Sequence, residues 1–121
     1  MHRAIVLILL LVVGCHKSGE QKLEGRWHGT KVEGVAPQQE AAATAFAVGT
    51  EMEFHEGKVS VKTPNDTSSS AFKVLREDKT TVVVVTELDG SKEPQTFVFV
   101  NDDTVEWAVL EGKRMILRRE R

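Results

Sequence analysis

Residues 50–62 read Thr50-Glu51-Met52-Glu53-Phe54-His55-Glu56-Gly57-Lys58-Val59-Ser60-Val61-Lys62. Met52 and Phe54 alternate with charged neighbours, and Val59 and Val61 alternate with lysine and serine. A period of two puts the apolar side chains on one face of an extended strand and the polar ones on the other. Glu56-Gly57 between them is a tight turn, so the stretch predicts a strand, a turn and a second strand.

Working outward, the same rhythm continues to the end of the chain. Thr63 to Ser69 reads as a polar loop containing Pro64. Ala71 to Arg76 resumes with Phe72 and Val74 on one face, and Thr80 to Leu88 carries Val82 to Val85. Asp89-Gly90 to Pro94 turns, Thr96 to Val100 follows, and Thr104 to Leu110 puts Val105, Trp107 and Val109 on one face. Glu111-Gly112-Lys113 then turns into Arg114 to Arg119. Upstream, Gly25 to Val32 is a first strand. Val35 to Val48 breaks the alternation: Pro37 suits a first helical turn, Ala41 to Ala47 is alanine-rich, and Gly49 follows. The expectation is all-β: eight antiparallel strands with one short helix after the first. Parallel neighbours would need crossovers of about a dozen residues, so the short connections mean a meander. Eight strands can close into a small barrel without free edges, with an open, strongly bent sheet as the alternative.

The N-terminus differs from the rest. Ten consecutive apolar residues, Ala4 to Val13, follow His2 and Arg3 and precede Gly14 and Cys15, the sole cysteine. A membrane-spanning helix needs about 20 apolar residues, so this run is too short to span and fits the charged start and apolar core of a secretory signal. Leu11-Val12-Val13-Gly14-Cys15 resembles the lipobox of bacterial lipoproteins. That resemblance implies a signal peptide over residues 1–14 and a thioether-linked diacylglyceryl group on Cys15. With further acyl chains such as palmitate, it would anchor residues 15–22 as a tether, ahead of a domain over 23–121. His16, rather than aspartate, after the lipidated cysteine implies the outer membrane, facing the periplasm. Loss of Arg3 would take the formal net charge from -2 to about -3 on simple counting. The mature domain would have to fold without a disulfide.

Leu23-Glu24-Gly25-Arg26-Trp27 resembles the Gly-X-Trp signature that opens the first strand of lipocalins. In that family the tryptophan packs at the closed end of the barrel against an arginine of the last strand, which implies Arg118 or Arg119 as the partner of Trp27. Phe54-His55-Glu56-Gly57-Lys58-Val59 and Met115-Ile116-Leu117-Arg118 are similar to small lipocalin-like domains of bacterial envelope lipoproteins. The resemblance implies a barrel holding a small apolar ligand among Met52, Phe54, Phe72, Phe97, Phe99 and Trp107. The span is shorter than a full lipocalin, which limits the depth of any cup.

Little else in the sequence carries chemistry. A net charge of -2 gives no electrostatic case for nucleic acid. His28 and His55 fall on the polar parity of their strands and read as solvated, since a metal needs at least three fixed ligands. Asp66, Asp78, Asp89, Asp102 and Asp103 all sit at predicted turns, where aspartate is favoured for backbone reasons. There is no Gly-X-Ser-X-Gly elbow and no phosphate loop, so the expectation is a protein that is not an enzyme and needs no cofactor or metal. Lys113, Arg114, Arg118, Arg119 and Arg121 fit a solvated strand face with one arginine on Trp27, or a surface for anionic headgroups. The hairpin of Val82-Val83-Val84-Val85 and Phe97-Val98-Phe99-Val100 is apolar on both faces. Its outer face is covered by the Pro37 to Val48 helix, by a protein partner or by nothing, and a sheet apolar on both faces favours one of the first two. The alternative to ligand binding is therefore a protein-interaction module, such as a periplasmic hydrolase inhibitor or an envelope assembly factor.

Overall fold

A computed structural model describes residues 17–86 and 93–121. The signal peptide expected over residues 1–14, Cys15 and the expected Asp89-Gly90 turn lie outside the described residues. Eight strands run in chain order: β1 (Gly25–Glu33), β2 (Glu51–His55), β3 (Lys58–Lys62), β4 (Thr67–Glu77), β5 (Thr81–Thr86), β6 (Pro94–Asn101), β7 (Thr104–Leu110) and β8 (Lys113–Arg119). Each pairs antiparallel with the next, and β8 pairs with β1, so the meander closes into a barrel. This is the architecture the alternation predicts, and it is compatible with a lipocalin-like (calycin) fold. The turn that joins β2 and β3 is built as its sequence requires. Glu56 and Gly57 both take positive φ (49° and 79°), the combination that matches a two-residue turn to the twist of its strands.

One end of the barrel is plugged. Helix α1 (Gly19–Leu23) takes up the end of the stretch expected to be tether, through Lys22, and the first residue of the expected domain, Leu23. Its start is a reciprocal capping box: Gln21 N donates to Ser18 Oγ at 3.2 Å and Ser18 N to Gln21 Oε1 at 2.9 Å. The helix carries Leu23 into the core, where it is fully buried with Trp27, Phe54, Phe97, Met115 and Leu117. Beside it lie the β2–β3, β4–β5 and β6–β7 turns; Lys22 Nζ, for instance, donates to Lys79 O at 3.4 Å.

Trp27 and Arg119 hold this end shut. Register places Arg119 of β8 opposite Trp27 of β1. The guanidinium carbon lies 4.3 Å from the indole centroid, a cation–π contact. Its nitrogens donate to Glu24 O at 2.6 Å, to Lys22 O at 2.8 Å and to Asp102 O at 3.1 Å. One planar fork thus joins the carbonyls that close α1, the β6–β7 turn and the face of Trp27. Trp27 Nε1 donates to Leu23 O at 2.8 Å, so the buried indole has its partner. Arg118, the other candidate, pairs opposite His28 on the alternate parity and is exposed.

The opposite end carries the longer connections. A 3-10 turn (Pro37–Gln39) leads into helix α2 (Glu40–Val48), as the alanine-rich run predicts. Gly29 shares the inward parity of Trp27, and a Cβ built on it would overlap the carbonyl of Ala47. The absence of a side chain there lets α2 seat on the inner side of β1. Ala47 and Thr50 are buried by this contact, with Gly29 N donating to Thr50 O at 2.9 Å and Thr50 Oγ1 to Phe46 O at 2.8 Å. Gly49 has an ordinary φ of -84°; its role is space, since a Cβ would press on Pro64 of the β3–β4 connection.

Two expectations change. Thr67 to Ser69, read as part of a polar loop, lie inside β4, where Ser69 Oγ and Ser60 Oγ are 3.0 Å apart across strands. Helix α2 packs chiefly on β1 and does not shield the β5–β6 hairpin. Val83, on that hairpin's outer parity, is nonetheless buried, flanked in register by Arg76 and Thr96, while Val100 is 60% exposed.

Candidate functional site: an interior cavity

Because α2 fills the β1 side of the open end, the space left inside the barrel lies on the other side. A cavity of about 340 Å³ is bounded by residues of β2 to β7 and the connections between them. Its deeper wall is apolar: Met52 and Phe54 from β2, Val59 and Val61 from β3, Val84 from β5, Phe97 from β6 and Trp107 from β7. Strand parity explains this set. Met52 faces Val61 and Phe54 faces Val59 across one pair, and Phe97 faces Trp107 across another. The mouth is polar, made by Thr63, Asp66, Ser68, Thr86, Glu93 and Gln95. An apolar pocket with a few convergent polar groups is the usual form of a small-molecule site, and the volume falls within the usual range of roughly 300–1,000 Å³.

The walls are fixed by their own packing. Phe54 meets Phe97 edge-to-face with centroids 5.6 Å apart, and Phe97 stacks on Trp107 at 6.0 Å and 15°. Trp107 Nε1 donates to Gln95 Oε1 at 3.0 Å, tying the aromatic floor to the polar rim. Asp66 is held by its own connection: Oδ1 accepts from Thr67 N at 2.8 Å and Oδ2 from Ser68 Oγ at 3.5 Å.

Of the six interior candidates from sequence, Met52, Phe54, Phe97 and Trp107 line the cavity. Phe72 and Phe99 do not. Phe72 packs edge-to-face on Phe54 at 5.2 Å, and Phe99 lies against Trp27 at 5.9 Å near the plugged end. Parity tells which face a residue is on but not its height along the barrel axis, and height separates these two from the rest. The rim residues were missed because turn chemistry accounts for Asp66 and Thr63 without any ligand. Asp66 does serve its turn, and it also borders the cavity.

The histidines are placed apart. His55, at the plugged end, pairs through Nδ1 with Glu24 Oε1 at 2.8 Å, and Nε2 lies 3.6 Å from Glu56 Oε1. The hydrogen bond to Glu24, with the charge of Glu56, raises its pKa above the ordinary 6.5. His28 stands between Glu51 and Arg118 in register, and its Nδ1 is buried without a hydrogen-bond partner. Neither borders the cavity. Among the described residues, no three histidine, cysteine, aspartate or glutamate side chains converge as a metal site would require.

The fold and site define a closed antiparallel barrel with a one-ended interior cavity. The chain matches no protein-family model, no curated protein and no solved structure.

Proposed function

We propose that this chain is a lipid-anchored bacterial envelope protein whose barrel binds a small apolar ligand. The observation that carries the binding reading is the cavity: an interior void walled by Met52, Phe54, Val59, Val61, Val84, Phe97 and Trp107 in a barrel otherwise tightly filled. A dry void of roughly 150 Å³ holds one benzene ring, so this one suits a ligand of about two rings or the equivalent alkyl chain. The anchor reading rests on Leu11-Val12-Val13-Gly14-Cys15 and the apolar run before it, with attachment through Cys15 to the outer membrane facing the periplasm. No helix among the described residues is long and apolar enough to cross a membrane. We read the protein as a carrier or sensor, with no catalytic role.

Binding is tested by titrating the full chain with neutral 1-decanol and following tryptophan fluorescence, since Trp107 borders the cavity. Saturable binding is expected, abolished by Val84→Phe, which fills the void from a wall position. Equal binding by Val84→Phe would overturn the assignment of the site. The anchor is tested separately: labelled palmitate should be incorporated by the chain and not by Cys15→Ser.

The interaction-module alternative has less support. Among the described residues, the exposed large apolar side chains are spread over both ends of the barrel. Val100 adjoins the β6–β7 turn at the plugged end, and Leu110 adjoins the β7–β8 turn at the open end.

A further inference from the structure

We propose that Gln95 is the residue that reads the ligand: its side-chain amide donates to an uncharged oxygen, such as a ketone carbonyl, on an otherwise apolar molecule. This rests on the ligand-binding reading and adds to it the polar group the ligand presents. By alternation, the inward row of β6 runs Gln95, Phe97, Phe99, with the glutamine nearest the mouth. Gln95 is half-buried, borders the cavity and lies opposite Val84, another wall residue. Trp107 fixes the orientation of its amide. An indole N–H can only donate, so the amide atom 3.0 Å from Trp107 Nε1 has to be Oε1. That leaves Nε2, with two N–H donors, as the half of the amide available at the cavity wall, and among the described residues no acceptor pairs with it. The other polar groups of the mouth are already engaged. Thr63 Oγ1 accepts from Asn65 N and Asp66 N, the Asp66 carboxylate accepts from Thr67 N and Ser68 Oγ, and Thr86 and Glu93 hold partners of their own. A ligand with its tail against Phe97 and Trp107 and an oxygen at the level of Gln95 therefore meets a donor already held in place.

Gln95→Glu tests the donor without releasing the indole. A carboxylate still accepts from Trp107 Nε1, but its second oxygen cannot donate. The full chain and this variant are titrated at about pH 8, where a glutamate is ionised, and tryptophan fluorescence is followed. The ligands are 2-octanone, which only accepts, and 1-octene, which neither accepts nor donates. The variant should weaken 2-octanone about tenfold and change 1-octene by less than about twofold. The carbonyl stretch of bound 2-octanone gives a second readout on the native chain, which serves even if the variant does not fold. It should lie below its position in dry alkane, as a hydrogen-bonded carbonyl does. Equal weakening of the two ligands, unchanged 2-octanone binding or a carbonyl stretch at the alkane position would each overturn the proposal. If neither ligand binds the native chain, the cavity reading falls as well; if both bind and the variant treats them alike, only the Gln95 inference falls.

Discussion

Arg119 offers the sharpest test of how the barrel is held together. Arg119→Met keeps a long apolar stem and removes the guanidinium fork. Lost with it are the part-buried hydrogen bonds to Glu24 O and Lys22 O, the bonds to Asp102 O and the contact 4.3 Å from the Trp27 ring. The two part-buried bonds come from a charged donor and contribute roughly 1.5 kcal/mol each. The cation–π contact adds about 1 kcal/mol. The bonds to Asp102 O are exposed and are given no weight, and the methionine stem recovers part of the packing. The expected loss is therefore roughly 3 kcal/mol, or about 12–24 °C in Tm for a domain of this size. Urea denaturation followed by tryptophan fluorescence measures it directly, because Trp27 moves from a fully buried site to water. Arg119→Lys should lose about half as much, since an ammonium can satisfy one carbonyl but cannot span three elements. Hydrogen exchange should show the Lys22 and Glu24 amides, which close the turn of α1, opening first in both variants. A loss below about 1 kcal/mol in Arg119→Met would refute the argument that this fork closes the barrel.

Three further perturbations follow from the same structure. Gly29→Ala drives a Cβ into the Ala47 carbonyl, so α2 must shift; about 1–3 kcal/mol of stability should be lost in thermal denaturation, and an unchanged Tm would argue that α2 is loosely seated. Trp27→Phe leaves Leu23 O without its buried donor and should cost roughly 1–3 kcal/mol by urea denaturation. His55 has a folded pKa raised by Glu24 and then Glu56, so its pair stabilises the fold most below the ordinary histidine value of 6.5, and the stabilisation fades as pH rises through the folded pKa. The stability difference between the native chain and His55→Ala should accordingly be larger at about pH 5.5 than at about pH 8.5; a difference that does not change with pH would show the pair to be without effect.

Strand number and order were readable because alternation in a thin-walled barrel is strict: one face meets the core and the other meets water; closure was settled only by the pairing of β8 with β1. Met52 and Phe54 against Glu51 and Glu53 leave no second solution. The reading failed where the signal was weak on both faces. Ser68 to Ser70 lacks an apolar face because Ser68 borders the mouth of the cavity on the inward side, and Ser69 on the outward side meets Ser60 of β3. Helix α1 was hidden in a polar segment, although Ser18 with Gln21 three residues on is the signature of a capping box. Arg119 and Arg118 are chemically alike, and only the register of β8 on β1 decides which meets Trp27. The four lining residues foreseen came from parity. The polar rim did not, because Thr63, Asp66 and Glu93 lie outside the strands, and the pairing of those strands brings them together.

The Arg119 fork also sets the order in which the molecule can form. It binds carbonyls 95 and 97 residues away in sequence, and β8 must pair with β1 before either contact exists. Neighbouring strands can pair as they emerge, but the fork that fastens the plug at the α1 end cannot form until the final strand arrives. A barrel sealed by its last strand stays unlocked while the chain is being made, and the lock engages only when the whole domain is present.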